Sequence, residues 1–136
     1  VTESRGLCPT GWHVPTDGEW SVLVRHLDPN ADTTCHNCFQ NIAGGKMKMT
    51  GTQLSLGGWV SPNTGANNQS GFTGLPGGCR LHYGGFSNMG NDGSWWSQTE
   101  DDVENAWYRD LNSSLPNLYS YSSFKDYGFS VRCVKD

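Results

Sequence analysis

One stretch restricts this chain more than any other. In "VPTDGEWSVLVRHLDP", Val14 to Pro29, a helical stripe can be read without ambiguity. Thr16 and Glu19 stand at the capping-box spacing, in which each side chain satisfies the other's otherwise unpaired backbone N–H. Trp20, Leu23, Val24 and Leu27 follow at i, i+3, i+4 and i+7 and make one apolar face. Pro29 lacks the N–H that another turn would need and ends the run. The pattern predicts one amphipathic helix over about 16–27, with Trp20 as its core anchor.

No later segment repeats that signal. Residues 30–41 are polar, and "IAGGKMKMTG" reads equally as a short helix or a strand. "WVSPNTGANNQSG" carries the Asn, Gly, Ser and Pro of a long ordered loop. Short strand candidates follow at Phe72–Leu75, Gly78–Tyr83, Ser94–Gln98, Ala106–Leu111 and Gly128–Val134, separated by turn residues. "FSVRCV" alternates Phe129, Val131 and Cys133 against Ser130, Arg132 and Val134, as a half-buried strand does. One early helix and several late strands make an α+β pattern with a small, loop-rich antiparallel sheet. With 136 residues the chain is expected to form a single domain over 1–136. It begins at Val1 without a signal-like segment, and we read it as the C-terminal part of a longer protein.

Charge narrows the function classes. A net charge of −4 with 9 Lys and Arg gives no basic cluster for a nucleic-acid backbone. No apolar run approaches the roughly 18–20 residues of a membrane span, so direct insertion is not expected. The cysteines are Cys8, Cys35, Cys38, Cys79 and Cys133. A bridge between Cys8 and Cys133 would close almost the whole chain. Cys35 and Cys38 form a lone CxxC, which suits half a zinc site, a redox pair, a local disulfide or two unrelated thiols. Cys79 is left over.

Catalytic patterns are thin. His13, His26, His36 and His82 have no nucleophile motif beside them. Glu100, Asp101, Asp102, Glu104 and Asp110 lack the spacing and pivot glycine of a calcium loop and read as a solvated acidic segment. Adjacent Trp95 and Trp96 face opposite sides of a strand, one toward the core and the other open to loop packing or sugar stacking. No catalytic residue, metal or cofactor is assigned.

"LNSSLPNLYSYSSFKDY", Leu111 to Tyr127, is different in kind. It has too many aromatics for a linker and too little period for an ordinary buried strand. Tyr offers a large contact area on two rotatable bonds, and Ser and Asn add adaptable hydrogen bonds, the mixture used by antibody-like loops. Half-exposed aromatics mark a recognition surface. The competing reading is an irregular strand whose tyrosines pack on a Gly-rich surface.

Several pieces together, "CPTGWHVPTDGEW", "AGGKMKMTGT", "WVSPNTGANNQSGFTGLPGGCR", "GSWWSQTE", "AWYRDLN" and "YGFSVRCVKD", closely resemble the Fibrobacter succinogenes major paralogous domain, in family order and over nearly the whole chain. The resemblance implies a C-type-lectin-like fold related to formylglycine-generating enzymes. It also implies an extracellular or cell-surface protein, lipoprotein or pilus- or tail-fibre-associated, of a Bacteroidetes-type bacterium or its phage. In that fold the terminal segments lie close together, so it implies that Cys8 and Cys133 can pair. Asp32–Gln40 departs from the pattern as an insertion, and Cys79 stands where the family usually has an aromatic residue. The redox cysteine pair of the related enzymes is missing near the C-terminal end, which argues against an enzyme.

A narrower resemblance is to variable proteins of diversity-generating retroelements, which mutate template adenines in a C-terminal segment. From Tyr108 to Tyr127 every residue except Lys125 is reachable from AAC or AAT codons. The expected function is therefore non-enzymatic display of a diversified surface over 108–127, directed at a surface protein or glycan of a host or neighbouring cell. Its ligand-binding residues would be Asp101, Asp102, Tyr108, Asp110, Asn112, Ser113, Ser114, Leu115, Pro116, Asn117, Tyr119, Tyr121, Ser123, Phe124, Asp126 and Tyr127. Substitutions are expected to be tolerated from Tyr108 to Tyr127 and not from Gly128 onward. The alternatives are a sugar-binding domain of a surface lipoprotein and an oxidase using Cys35, Cys38 or Cys79.

Overall fold

A computed structural model describes residues 6–36, 40–52 and 57–136. The capping box forms as the sequence predicts and opens α1 at Asp17–Leu27. Thr16 Oγ1 accepts from Glu19 N at 3.2 Å, and Glu19 Oε2 accepts from Thr16 N at 2.8 Å. Asp28 ends the helix, and its carboxylate accepts from the Asn30 and Ile42 amides. Those bonds tie α1 to the short α2, Ala43–Met47, which resolves the ambiguous "IAGGKMKMTG" as helical.

Strand β1, Trp12–His13, pairs antiparallel with β7, Val134–Lys135, so the two ends of the domain lie side by side. The Cys8–Cys133 disulfide closes the same junction, with 5.8 Å between the α carbons. His13 stands there between two carboxylates, Nδ1 2.6 Å from Asp136 Oδ1 and Nε2 2.8 Å from Glu19 Oε1. With both partners ionised each ring nitrogen must donate, which requires the imidazolium. The His13 pKa is accordingly raised, chiefly by the bond to Asp136 and then by that to Glu19.

The hairpin of β2, Cys79–Arg80, and β3, Phe86–Ser87, is small. The main sheet orders β4, Asp92–Glu100, then β5, Asn105–Asn112, then β6, Leu118–Phe124, all antiparallel. Residues 128–130 lie along the free edge of β4, where Ser130 N donates to Ser94 O and Trp96 N to Ser130 O. The predicted strand over Gly128–Val134 therefore breaks into isolated bridges followed by β7. Phe72–Leu75 contributes only a bridge at Gly74, and Gly78–Tyr83 shrinks to β2.

The inner sheet face meets the helices. Trp95 and Leu111 join Trp20, Val24, Leu27, Ala43, Met47, Trp59 and Leu118 in the buried core. Arg109, only 3 % exposed, donates to the Asp17 carboxylate at the start of α1 at 2.6 Å. Trp107 stacks under His36 of the 32–40 insertion with 3.8 Å between ring centroids. Cys35 is disulfide-bonded, while Cys38 lies outside the described residues.

Two features pin the β5–β6 turn, 113–117, to this core. Gly44 and Gly45 let α2 approach so closely that Gly45 N donates to Pro116 O at 2.7 Å. Lys48, fully buried, donates from Nζ to the carbonyls of Asn112 and Leu115, both at 2.9 Å, and lies 5.4 Å from the Trp59 ring centroid. Burial pushes its pKa down to about 8.

Candidate functional site: the outer sheet face

Side chains alternate along a strand, so half of the Tyr/Ser segment points away from the core. On β5 the outer residues are Tyr108, Asp110 and Asn112; on β6 they are Tyr119, Tyr121 and Ser123, with Tyr121 opposite Tyr108 and Tyr119 opposite Asp110. Strand β4 adds Asp92, Ser94 and Trp96 opposite Asn112, Asp110 and Tyr108. Within the segment expected to lack period, Leu118–Phe124 is thus a regular strand. Treating Tyr as half polar and Ser as polar hid an alternation in which Tyr119 and Tyr121 share one strand parity and Ser120 and Ser122 the other, although Ser122 is exposed near the strand end.

Rings run continuously across this face. Tyr119 stacks on Tyr121 at 5.5 Å with 12° between planes, and Tyr121 lies 6.0 Å from Tyr108. Tyr108 meets Phe129 at 4.5 Å, Phe129 meets Tyr127 at 6.0 Å, and Tyr127 reaches His82 of the β2–β3 hairpin at 5.7 Å. Trp96 supports the middle from below, 4.4 Å from Phe129. Trp95 and Trp96 are both 5 % exposed, so neither offers an open stacking platform.

Carboxyl groups sit among the rings. Ser94 Oγ donates to Asp110 Oδ1 at 2.7 Å, and Asn112 Nδ2 donates to Asp92 Oδ1 at 2.6 Å. Burial raises Asp110 to about 7, with Asp92 adding repulsion and the Ser94 bond opposing the shift. Asp92 is raised as well, by burial. Burial and then Asp110 push the Tyr108 and Tyr119 hydroxyls up; for Tyr121 the causes are burial, Tyr119 and Asp110. Cys79 is the free cysteine among the described residues, and burial and the same two carboxylates push its thiol up, away from the reactive thiolate.

The remaining sequence-predicted residues fall elsewhere. Ser113 and Asn117 are buried at 2 % and 8 % in the pinned turn, where they support the sheet and offer no contact surface. Ser114 and Leu115 are exposed beside them, and Pro116 is half-buried. Tyr119 is itself buried at 7 %, beneath its neighbours. Asp101 and Asp102 occupy the β4–β5 turn. There Asp102 accepts from the Glu104 and Asn105 amides and the Asn105 side chain, which holds its pKa low. Phe124 pairs with Asn105 and so has inner-face parity, with Asp126 exposed just beyond. These two ends of the sheet are about 20 Å apart at ~3.3 Å per residue. The predicted residues therefore do not converge on one site: Tyr108, Asp110, Tyr119, Tyr121, Ser123 and Tyr127 share the outer face, Asn112 lies at its margin, Phe124 ends β6 with the opposite parity, and the others belong to the turns.

Sequence reading left Asp92, Ser94, Trp96, Phe129 and His82 out of this face, weighing Trp96 only for core, loop packing or sugar stacking and setting His82 aside. The first three stand at i, i+2 and i+4, a signal that was present once the outward parity of Trp96 was chosen. The others needed the tertiary fold. Among the described residues no group of three or more His, Cys, Asp or Glu is placed to hold a metal, and no helix is long and apolar enough to cross a membrane.

A family model described as the Fibrobacter succinogenes major domain matches residues 1–135. No curated protein and no solved structure matches the chain.

Proposed function

The chain belongs to the Fibrobacter succinogenes major domain family, and from that premise we propose that it is a non-enzymatic recognition module with a C-type-lectin-like fold. Its outer sheet face binds a protein or glycan on another cell or a host, from an extracellular or cell-surface location. The observation that carries this reading is the continuous run of rings from Tyr119 through Tyr121, Tyr108 and Phe129 to Tyr127, interleaved with hydroxyls and carboxyls. Such a face gives contact area at low entropic cost and is built for complementarity, not for chemistry.

We further propose that retroelement mutagenesis diversifies the segment 108–127, with a refinement that the fold supplies. Useful variation is confined to outward, partly exposed positions such as Tyr108, Asp110, Tyr121 and Ser123. Changes at Arg109, Leu111 or Leu118 strike the core. The oxidase alternative is disfavoured by the raised thiol of Cys79. The sugar-stacking alternative is disfavoured by the burial of both tryptophans.

Two measurements test the proposal. In the neighbouring DNA, a near-identical repeat of the C-terminal coding segment, differing only at adenines and beside a reverse transcriptase, is expected; a repeat differing at random bases refutes diversification. For the face itself, binding to a glycan array and a random-peptide library is compared between the native domain and Tyr121→Ala. Ligands lost with Tyr121 while the melting temperature stays within a few degrees support the face. Ligands wholly indifferent to Tyr121 refute it.

A further inference from the structure

Several charged side chains among the described residues have a counter-charge. Arg109 has Asp17, Lys125 has Glu100, and His13 has both Glu19 and Asp136. Asp28 is satisfied by backbone amides. Asp110 and Asp92, by contrast, stand half-buried near one another with neutral donors, Ser94 for Asp110 and the Asn112 and Asn88 side chains for Asp92, and neither forms an ion pair with a described cation. Desolvating a carboxylate without a counter-charge is costly. An arrangement of this kind is poor for stability and good for a cation that arrives from outside.

The rings favour the same sign. Aromatic faces are negative, and a cation within about 6 Å of a ring centroid is attracted by the quadrupole. Tyr119 and Tyr121 lie parallel, with Tyr108 beyond them, and Asp110 is the cross-strand partner of Tyr119. A guanidinium can stack on such rings and fork onto a carboxylate, and an ammonium gains the same two attractions as a point charge. An anionic or neutral partner pressed onto this face would leave both carboxyl groups desolvated and unpaired.

We propose that the outer face recognises a basic side chain, arginine or lysine, presented by a protein partner, with Asp110 and Asp92 as counter-charges, Tyr108 and Tyr121 as stacking walls, and the buried Tyr119 stacked behind Tyr121. This rests on the reading of that face as the recognition surface and adds the chemistry of what it takes.

The test uses a random-peptide phage library selected on the intact domain, with peptides sorted by loss of binding to Tyr121→Ala, a variant of unchanged net charge. Face-directed peptides are expected to be enriched in Arg or Lys. Replacing that Arg with citrulline, or that Lys with norleucine, should weaken binding about tenfold to a hundredfold. Asp110→Asn and Asp92→Asn should each reproduce part of that loss with the fold retained by thermal melting. Glu104→Gln, which removes an equal charge from the exposed β4–β5 turn, should change affinity by less than about twofold. Face-directed peptides without basic residues, citrulline peptides that bind equally, or Glu104→Gln losing as much as Asp110→Asn would each overturn the cation inference and leave the recognition surface standing. A library yielding no peptide sensitive to Tyr121 overturns the recognition surface, and this inference with it.

Discussion

Replacing Gly44 with alanine should destabilise the domain, although the same change in most helices does the opposite. Alanine is favoured over glycine in a helix by up to about 1 kcal/mol. At Gly44, however, an added Cβ would fall onto the Asn117 carbonyl group and lie 2.9 Å from Leu111 Cδ2. The obstacle is backbone on a buried turn, not the end of a flexible side chain. To clear it α2 must retreat by about an ångström, since close-packed interiors have no slack to absorb a methyl group. That movement breaks the 2.7 Å bond from Gly45 N to Pro116 O and strains the two Lys48 bonds to the same turn. Overpacking costs about 1–3 kcal/mol and an unpaired buried backbone group about 1–3 more. Less the helical gain, the expected loss is about 1–5 kcal/mol, and its middle value corresponds to roughly 10 °C in melting temperature for a chain of this size. Urea unfolding followed by tryptophan fluorescence, with calorimetry at neutral pH, measures it. Gly18→Ala is the control, because the nearest atom to its new Cβ is Thr16 Oγ1 at 3.9 Å; it should be neutral or slightly stabilising. If Gly44→Ala proves as stable as the native domain, the close approach of α2 to the β5–β6 turn is wrong.

Lys48→Met should cost about 1–3 kcal/mol in urea unfolding, because it removes the ammonium donor from the Leu115 carbonyl and leaves the Asn112 carbonyl with the long 3.4 Å bond from the Leu115 amide; no change would mean that the turn does not depend on the Lys48 bonds. Replacing Cys8 and Cys133 together by serine should cost about 4–5 kcal/mol in the loop-entropy model, given a sequence separation of 125, and a stability equal to that of the native protein would refute that accounting. His13 supplies a pH dependence. Its folded pKa is raised, so its contribution is complete below the ordinary value of 6.5 and fades as pH rises through the folded value. The Glu19 pKa is lowered, led by the Thr16 amide bond, so its contribution holds above 4.5 and fades as pH falls through the folded value. The melting-temperature difference between native protein and His13→Gln should therefore be largest between those limits and shrink in alkali; a flat difference across pH 5–9 would show that the imidazolium is not held there.

Local chemistry made α1 legible. Thr16 and Glu19 need only each other, and the apolar stripe that follows is complete within four turns of chain. The α+β class followed from the same economy, and the family motifs at "CPTGWHVPTDGEW" and "YGFSVRCVKD" carried the pairing of Cys8 with Cys133 that the domain makes. Composition also singled out the Tyr/Ser segment, since Tyr, Ser and Asn together have a meaning that needs no coordinates.

What composition could not do was divide that segment. Tyr108 and Arg109 are neighbours in sequence, yet one joins the ring surface and the other is buried on Asp17 of a helix far upstream. Leu118 and Tyr119, Ser113 and Ser114 separate in the same way. The division depends on which strand face meets α1 and α2, and that is fixed by register with β4 and by the close approach of Gly44 and Gly45, both long-range contacts. The sequence by itself determined the helix, the class and the chemical character of the surface. Tertiary structure alone decided which side chains form that surface, because strand parity has no meaning until a second layer covers one side.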